Sequence, residues 1–213
     1  MSKIMILGAN GAMARLVTEK LLNETDHQLV LFLRNADRLS QYKNNNRVQL
    51  VDGDIYDTPI LLEAMKNVDI VYSNLGGVDL DEQINQVLSC MKKLNIKRFI
   101  YISSLGAHHE VPGKYGEWNE EAIKDYLPGF RRSADLVEKS GLEYTEIRPA
   151  WLTNNDEVDY ETTQVDEPFR GTEVSRKSVA EFVFTILNQP NLYVNKSIGL
   201  NKPNTDGDKP SWM

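Results

Sequence analysis

The sequence predicts an α/β fold, in which a single domain is built around a doubly wound parallel sheet with helices on both faces. Short apolar runs alternate with helical patterns from the first residues, and a glycine-rich turn separates the first run from the first helical pattern. Strands that are separated by helices connect through right-handed crossovers, which make the sheet parallel and cover both of its faces. A chain of 213 residues without a linker-like tract suits one domain, residues 1–213.

The apolar pattern of the first two thirds of the chain predicts six strands and four helices. The strands are short runs rich in Ile, Val, Leu and Phe, as is typical of buried parallel strands. The second helix begins near Pro59, and the fourth begins after the Pro128-Gly129 pair. The predicted strands span residues 3–7, 28–33, 47–51, 69–72, 98–103 and 143–148, and the predicted helices span residues 12–22, 59–65, 81–94 and 130–139.

The last third of the chain has a different character. Residues 154–168 are polar and acidic, which is typical of a surface loop or of a lid over a substrate. Ser178 and Glu181 have the spacing of a capping box and predict a helix that runs to about residue 187. Residues 197–200 predict an edge strand, and the turn-rich tail 201–213 is expected to be loosely held.

Composition limits the kinds of partner and compartment. The 24 basic and 31 acidic residues give a net charge of −7 without a block of like charges, which disfavours nucleic acid and anionic membranes as partners. The single cysteine, Cys90, cannot form an intrachain disulfide, and no apolar run is long enough for a signal or membrane segment. We expect a cytoplasmic protein that binds a small-molecule substrate, and the sequence leaves open a homodimer or a protein partner.

The turn after the first predicted strand indicates a dinucleotide site. Glycine accepts positive φ, and free N–H groups at a helix N-terminus bind a pyrophosphate. The spacing is G-x-x-G-x-x-A and not the commoner G-x-G-x-x-G/A, but the order of strand, turn and helix is that of a dinucleotide-binding unit. The alternative is a tight turn without a ligand. The turn consists of Gly8, Ala9, Asn10, Gly11, Ala12 and Met13.

Five stretches of the sequence together resemble the atypical short-chain dehydrogenase/reductases, specifically the NAD(P)H-binding, NmrA-like branch that includes biliverdin and flavin reductases. The resemblance covers about residues 3–185 and implies a Rossmann fold. The stretches are GANGAMA at the first turn, VDGDIYD after the third strand, SNLGG after the fourth, YISSLGAH at the fifth and SGLEYTEIRPAWLT across the sixth.

The same resemblance implies further cofactor-binding residues. Asp54 matches the adenine-binding aspartate of the family, although an aspartate here also suits a turn, a role for which Asp52 is the better candidate. The turn after Arg148 resembles one that lies beside the nicotinamide, and Ser103 ends the fifth strand nearby. The cofactor-binding residues that the resemblance adds are Asp54, Ile55, Leu75, Gly76, Gly77, Ser103, Pro149 and Ala150.

The residue that ends the second strand predicts which dinucleotide binds. A carboxylate at this place hydrogen-bonds the ribose 2′-hydroxyl of NAD, whereas an arginine accommodates the 2′-phosphate of NADP. Arg34 stands there, Arg38 can add a second charge, and no acid appears before Asp37. We therefore predict that NADP(H) is preferred over NAD(H). The alternative is a solvated arginine whose field Asp37 weakens.

The proton donor of a short-chain reductase is usually a tyrosine with a lysine one helical turn later, which lowers the tyrosine pKa. That pair is missing. Tyr115 is followed four residues later by Asn119, and Tyr126 by Phe130. The Pro128-Gly129 pair also predicts that Tyr126 lies before the helix and not one turn below Phe130.

Substrate contacts are expected from residues 104–130 and 150–178. Ser104 follows the fifth strand, where ligands bind in open α/β sheets, and matches a substrate-side serine of the family. Ser104 and Tyr126 are the catalytic candidates. His108 and His109 can also donate a proton near neutral pH, although exposed loop histidines are the simpler interpretation. The sequence contains no metal-binding pattern.

The function that fits these features is NADPH-dependent hydride transfer to a small acceptor, such as a flavin, a quinone or a carbonyl compound, without the Tyr-x-x-x-Lys couple. The missing lysine also favours a second function, a redox sensor of the NmrA-like kind that binds the dinucleotide without turnover. A lesser alternative is an epimerase or dehydratase that holds NAD tightly.

Overall fold

An eight-stranded sheet forms the centre of the protein, in a computed structural model that describes residues 1–213. Seven strands are parallel, and one edge strand is antiparallel. The strand order is β3-β2-β1-β4-β5-β6-β10-β8, and β7 and β9 form a separate two-stranded sheet. The strands are β1 Lys3–Leu7, β2 Gln28–Leu33, β3 Val48–Asp52, β4 Ile70–Ser73, β5 Arg98–Ile102, β6 Glu143–Pro149, β7 Trp151–Thr153, β8 Glu161–Thr163, β9 Glu173–Ser175 and β10 Lys196–Asn201.

Helices cover both faces of the sheet, which confirms the predicted fold class. One apolar cluster joins α1 and α6 to one face, and a second joins α2, α3 and α5 to the other. Each cluster removes a continuous apolar surface from water, which is the main source of stability in such a domain. The helices are α1 Ala12–Glu24, α2 Thr58–Ala64, α3 Leu80–Lys93, α4 Gly113–Ala122, α5 Leu127–Glu138 and α6 Arg176–Asn188, with a 3-10 helix at Ala36–Tyr42.

The strand order reverses between β1 and β4, and this reversal positions the site. Leu7 at the end of β1 pairs with Phe32 on one side and with Ser73 on the other. The loops after β1, β2 and β4 therefore leave the same edge of the sheet side by side. In an open α/β sheet this is the crevice where ligands bind.

The start of α5 corrects the sequence prediction. The helix begins at Leu127 with Pro128 inside its first turn, where the missing proline N–H costs nothing. Tyr126 is the N-cap residue, and its carbonyl accepts a hydrogen bond of 3.2 Å from the Phe130 N–H. The Pro128-Gly129 pair thus lies within the helix and does not precede it. Helix α4 was not predicted at all.

The start of α6 also differs from the prediction. Ser175 is the N-cap residue, and its hydroxyl accepts a hydrogen bond of 2.9 Å from the Ser178 N–H. The proposed capping box of Ser178 and Glu181 is wrong, because Glu181 lies within the helix and pairs with Lys20 at 3.1 Å. The Ser178 hydroxyl instead accepts a hydrogen bond from the Asp159 N–H.

The C-terminal third is more tightly bound than predicted. Strand β8, from the acidic segment, pairs with β10, so β10 is not the edge strand that the sequence predicted. The tail is also held, since the Thr205 carbonyl accepts hydrogen bonds from both the N–H and the hydroxyl of Thr172. Ser211 donates to the Glu173 carboxylate. None of the helices combines the length and the apolar character that crossing a bilayer requires.

Candidate functional site

The turn after β1 is shaped by two glycines that pack against Asn74. Gly8 has a φ of +69°, and a Cβ atom there would lie 2.8 Å from the Asn74 carbonyl oxygen. A Cβ atom on Gly11 would lie 2.2 Å from the Asn74 side-chain nitrogen. The first N–H groups of α1 have no intrahelical acceptor, and no side chain caps this helix. The N–H groups of Gly8, Ala9 and Gly11 already donate within the chain, so the donors that remain for an anion are those at the start of α1.

A cavity of about 510 Å³ opens beside this turn, at the carboxyl ends of β1 to β4. Its size is that of a small-molecule site. Ala9, Ala12, Met13, Gly77, Ser103, Pro149 and Ala150 do not line the cavity, although they were predicted to bind the cofactor. The predicted residues that line it are Gly8, Asn10, Gly11, Arg34, Asp54, Ile55, Leu75 and Gly76, together with Arg38, which the sequence offered as a second charge. The residues that the prediction missed are Phe32, Leu33, Gly53, Tyr56, Asn74, Asp79 and Gln83.

Two arginines give the β2 end of the cavity a positive charge. The Arg34 side chain is 79% exposed, and its nearest carboxylate oxygen, on Asp54, is 3.8 Å away. Arg38 donates to the carbonyls of Arg34 and Asn35, which holds its guanidinium against the backbone of the turn that carries Arg34, and it also lines the cavity. Asp37 makes no ion pair with Arg34. Both guanidinium groups can therefore contribute to the recognition of an anionic group.

The two aspartates after β3 have different roles. Asp52 accepts hydrogen bonds from the N–H groups of Asn35 and Ala36, and so fixes the turn that carries Arg34. Asp54 accepts the Tyr56 N–H at 3.0 Å with one oxygen, while its other oxygen faces Arg34. Asp52 thus stabilises the turn after β2. Asp54 stabilises the turn at Tyr56 with one oxygen, and its side chain lines the cavity.

A hydrogen-bonded chain closes the β4 side of the cavity. Gln83 donates to the Gly76 carbonyl at 3.1 Å and to Asp79 at 2.9 Å. The other Asp79 oxygen accepts a hydrogen bond of 2.7 Å from the Tyr56 hydroxyl. The hydrogen bond from Tyr56 is the largest contribution that lowers the pKa of Asp79. The SNLGG and VDGDIYD stretches contain Asn74 and Tyr56, but their sequence carries no signal for contacts between separate loops.

The predicted nicotinamide-side residues lie at the ends of β5 and β6, largely within the sheet. Ser103 is buried, and its hydroxyl has no hydrogen-bond partner in the chain. The Pro149 carbonyl accepts from the Leu105 N–H at 3.4 Å, and the Ala150 N–H donates to the Leu200 carbonyl at 2.8 Å. The Pro149 carbonyl and the Ala150 N–H are therefore already used within the chain.

Ser104 is the accessible hydroxyl at the end of β5. It is partly exposed and donates a hydrogen bond of 3.1 Å only to the carbonyl of the next residue, Leu105. A hydroxyl that is held so weakly can rotate toward a ligand.

Neither candidate tyrosine has the features of a paired acid. Tyr126 is 46% exposed, and its hydroxyl makes no hydrogen bond within the chain. Tyr115 is buried and donates to the Thr172 carbonyl at 3.1 Å. Burial, and then the charge of Glu173, raise the pKa of Tyr115 above its ordinary value, so it is a poor proton donor.

The loop after Ser104 is held by a buried ionic network. The two Glu110 oxygens accept hydrogen bonds from the N–H groups of Gly106 and His108, at 3.1 and 3.0 Å. Glu110 also forms an ion pair with the fully buried Arg148. Arg148 therefore fixes the substrate-side loop from within the sheet.

His108 differs from the exposed loop histidine that the sequence favoured. Its Nε2 atom lies 2.6 Å from a carboxylate oxygen of the buried Glu146. Burial lowers the pKa of His108, but the hydrogen bond and charge of Glu146 outweigh burial, so that the pKa is raised. Ser197 donates to the same Glu146 oxygen at 2.6 Å. His109 remains exposed and faces Glu120 at 3.9 Å.

Comparison with known proteins shows the family to which the chain belongs. The family model described as NAD(P)H-binding matches residues 8–190. The chain belongs to this NAD(P)H-binding family. The match begins at Gly8, the first residue of the turn.

Two solved structures are similar to this NAD(P)H-binding protein over essentially its whole length. A Rossmann-fold NAD(P)-binding family protein from Shigella flexneri is 42% identical, with a TM-score of 0.85 and full coverage of both chains. A short-chain dehydrogenase/reductase from Veillonella parvula, in complex with NADP, is 29% identical, with a TM-score of 0.92 and 99% coverage of both chains. These likenesses confirm the resemblance to short-chain dehydrogenase/reductases.

A curated relative has a different description. The Bacillus subtilis protein named as an uncharacterized sugar epimerase, YhfK, is 27% identical over 98% of this chain and 96% of its own length. Proteins similar to this chain are therefore named for different kinds of chemistry, and the fold alone does not select among them.

Proposed function

We propose that this protein is a cytoplasmic NADPH-dependent reductase that transfers hydride to a small acceptor without a Tyr-x-x-x-Lys couple. The observation that carries the proposal is the cavity between the glycine turn and the arginine pair at the end of β2. The acceptor is a flavin, a quinone or a carbonyl compound. When bound, the reduced nicotinamide supplies the hydride.

The residues of the cavity fit a dinucleotide. Gly8 and Gly11 let Asn74 pack directly against the turn, and the free N–H groups at the start of α1 can bind a pyrophosphate. Asp54 and Ile55 line the adenosine side. Arg34 is free to turn toward a 2′-phosphate, because its contact with Asp54 is long. The Veillonella parvula relative with bound NADP supports the same choice of cofactor.

The substrate side supplies orientation and one hydroxyl. Ser104 can donate a hydrogen bond to an acceptor carbonyl, and Glu110 with Arg148 holds the loop on which Ser104 stands. Acceptors whose reduced form takes its proton from solvent need no dedicated acid, so that proximity and exclusion of water can carry the reaction.

The test is NADPH oxidation with a panel of flavins, quinones and aldehydes. Turnover on at least one acceptor is expected, and Ser104→Ala should lower its kcat/KM by about tenfold, because one substrate hydrogen bond is lost. NADPH affinity should stay unchanged in this variant. Turnover on none of the acceptors would contradict the proposal.

The absence of a paired acid favours a second function, a dinucleotide-binding redox sensor. Tyr115 is buried and Tyr126 is unpaired, and no lysine stands one turn after either residue. A sensor would bind NADPH without oxidising it on any acceptor, and its conformation or partner binding would differ between the reduced and oxidised dinucleotide.

The YhfK description favours a third function, an NAD-dependent epimerase or dehydratase. Such enzymes keep NAD through the reaction, because they oxidise and then reduce the same substrate. Denaturing the purified protein and analysing the released nucleotide tests this function, since NAD at a stoichiometric amount would favour it over the reductase.

A further inference from the structure

The hydrogen bond between Tyr56 and Asp79 joins two loops that leave different strands. Tyr56 follows β3 and Asp79 follows β4, and both line the cavity beside the glycine turn. The bond is 2.7 Å long, and the two residues are 23 positions apart in the sequence. The side chain of Tyr56 therefore spans the space between the two loops.

The two partners are held very differently. Asp79 is fixed, because its second oxygen accepts Gln83 at 2.9 Å and Gln83 also binds the Gly76 carbonyl. Tyr56 is 49% exposed, and the Asp79 contact is the only hydrogen bond of its hydroxyl. Breaking this one bond releases the tyrosine side chain, while the Asp79 side remains in place.

Tyr56 lines the cavity next to the two residues proposed to bind adenosine. Asp54, Ile55 and Tyr56 are consecutive lining residues, and the Tyr56 N–H is anchored on Asp54 at 3.0 Å. An exposed bond of this kind contributes little to the stability of the fold. Because both partners line the cavity, the bond can instead affect the movement of a bound ligand.

We propose that Tyr56 and Asp79 form a latch over the adenosine end of the dinucleotide site and set the rate at which the dinucleotide leaves. Release requires the Tyr56 side chain to move away from Asp79, so the bond between them is lost before the ligand departs. The latch rests on the proposed function only in placing a dinucleotide in this cavity, and it requires no turnover.

The test measures NADPH release by stopped-flow fluorescence, with excess NADP⁺ added to prevent rebinding. Tyr56→Phe keeps the ring and removes the bond, and we expect its release rate constant to rise about tenfold, equivalent to about 1.4 kcal/mol. Tyr144→Phe is the matched control. Tyr144 lies at the amino end of β6, away from the cavity at the carboxyl ends of the strands, and its hydroxyl makes no hydrogen bond. Its release rate should equal that of the unmodified protein.

A second variant tests whether the two residues act through one bond. Asp79→Asn weakens the acceptor and should also speed release, and the double variant should release NADPH no faster than the faster single variant. Additive effects, or a Tyr56→Phe rate within about twofold of the unmodified protein, would overturn the latch.

The assay separates the latch from the reductase proposal. It contains no acceptor, so a protein that never turns over still reports release. If the dinucleotide does not occupy this cavity, Arg34→Asp will leave NADPH affinity unchanged, and that result contradicts the proposed cofactor site itself. If Arg34→Asp weakens binding while Tyr56→Phe leaves release unchanged, only the latch is wrong.

Discussion

In the proposed cofactor site, the choice of dinucleotide depends on one weakly held side chain. Arg34 is mostly exposed, and its distance to Asp54 is longer than that of a hydrogen bond. Its guanidinium thus has little to lose when it turns to a ligand phosphate. The Asp54 carboxylate lies 3.8 Å from the Arg34 guanidinium. An acidic residue at position 34 would therefore add a second negative charge at the end of the cavity proposed to bind adenosine.

Arg34→Asp should weaken NADPH binding by at least about tenfold relative to NADH, because a charge-assisted contact is replaced by repulsion of the 2′-phosphate. Fluorescence titration with both dinucleotides gives the ratio of dissociation constants. Arg170→Asp is the matched control, since Arg170 is exposed and lies outside the cavity. An unchanged ratio in Arg34→Asp would show that the 2′-phosphate is recognised elsewhere.

Residue types near a motif could be predicted, but their partners could not. Gly8, Gly11 and Arg34 act within a few positions of the strand they follow, so local sequence was enough to predict their places. The bond from Tyr56 to Asp79 joins two loops, and no local pattern encodes it. His108 was misjudged for the same reason, since Glu146 is 38 positions away.

Among the elements, strands were predicted better than helix starts. Buried parallel strands are continuous apolar runs, so their bounds follow from hydrophobicity. The start of a helix depends instead on which polar side chain caps it, and two serines three positions apart, Ser175 and Ser178, compete for that role near α6. Helix α4 has glycines at both Gly113 and Gly116, which weakens its helical pattern in the sequence.

The cap of α6 can be tested directly. Ser175→Ala removes the acceptor of the Ser178 N–H and should lower the free energy of unfolding by about 1 kcal/mol. Chemical denaturation measures the loss. Ser40→Ala is the control, because Ser40 is exposed and its hydroxyl makes no hydrogen bond. A Ser175→Ala protein as stable as the control would mean that the hydroxyl does not cap the helix.

On the scale of the whole molecule, stability is tied to pH through the buried network around Glu146. Burial alone would raise the pKa of Glu146, but the hydrogen bond and charge of His108 and the Ser197 hydroxyl lower it. Arg148 and Glu110 also face His108, one repelling and one favouring its charged form. The pair of Glu146 and His108 is thus most favourable when both are charged.

The sign of each contribution follows from the direction of its pKa shift. The His108 pKa is raised from 6.5, so its contribution to stability is complete below about pH 6.5 and is lost as the pH rises. The Glu146 pKa is lowered from 4.5, so its contribution is present above about pH 4.5 and is lost at lower pH. The two contributions coexist between these values.

His108→Asn should therefore destabilise the protein more at about pH 5.5 than at about pH 8.5, as measured by urea unfolding at both values. His109→Asn is the matched control, because the adjacent His109 is exposed and Asn tolerates its positive φ of 59°. An equal loss of stability at the two pH values would show that His108 is not charged in the folded protein.

The global order of the sheet was predictable only in part. Alternating strands and helices predict a parallel sheet with two covered faces, which the structure shows. The place of β8 was not predictable, because Glu161–Thr163 is short and polar and becomes a strand only by pairing with β10. Tertiary pairing of this kind leaves no period in the sequence.

Strand β8 also has a consequence for the behaviour of the protein in concentrated solution. Without β8, the apolar β10, with Ile198 and Leu200 in its centre, would present a row of unpaired N–H and C=O groups to other molecules. Such an exposed sheet edge can pair with a strand of a neighbouring molecule and so extend the sheet from one molecule to the next. The three residues of β8 close this edge with a short polar strand that contains Glu161, and so they keep neighbouring molecules from joining their sheets.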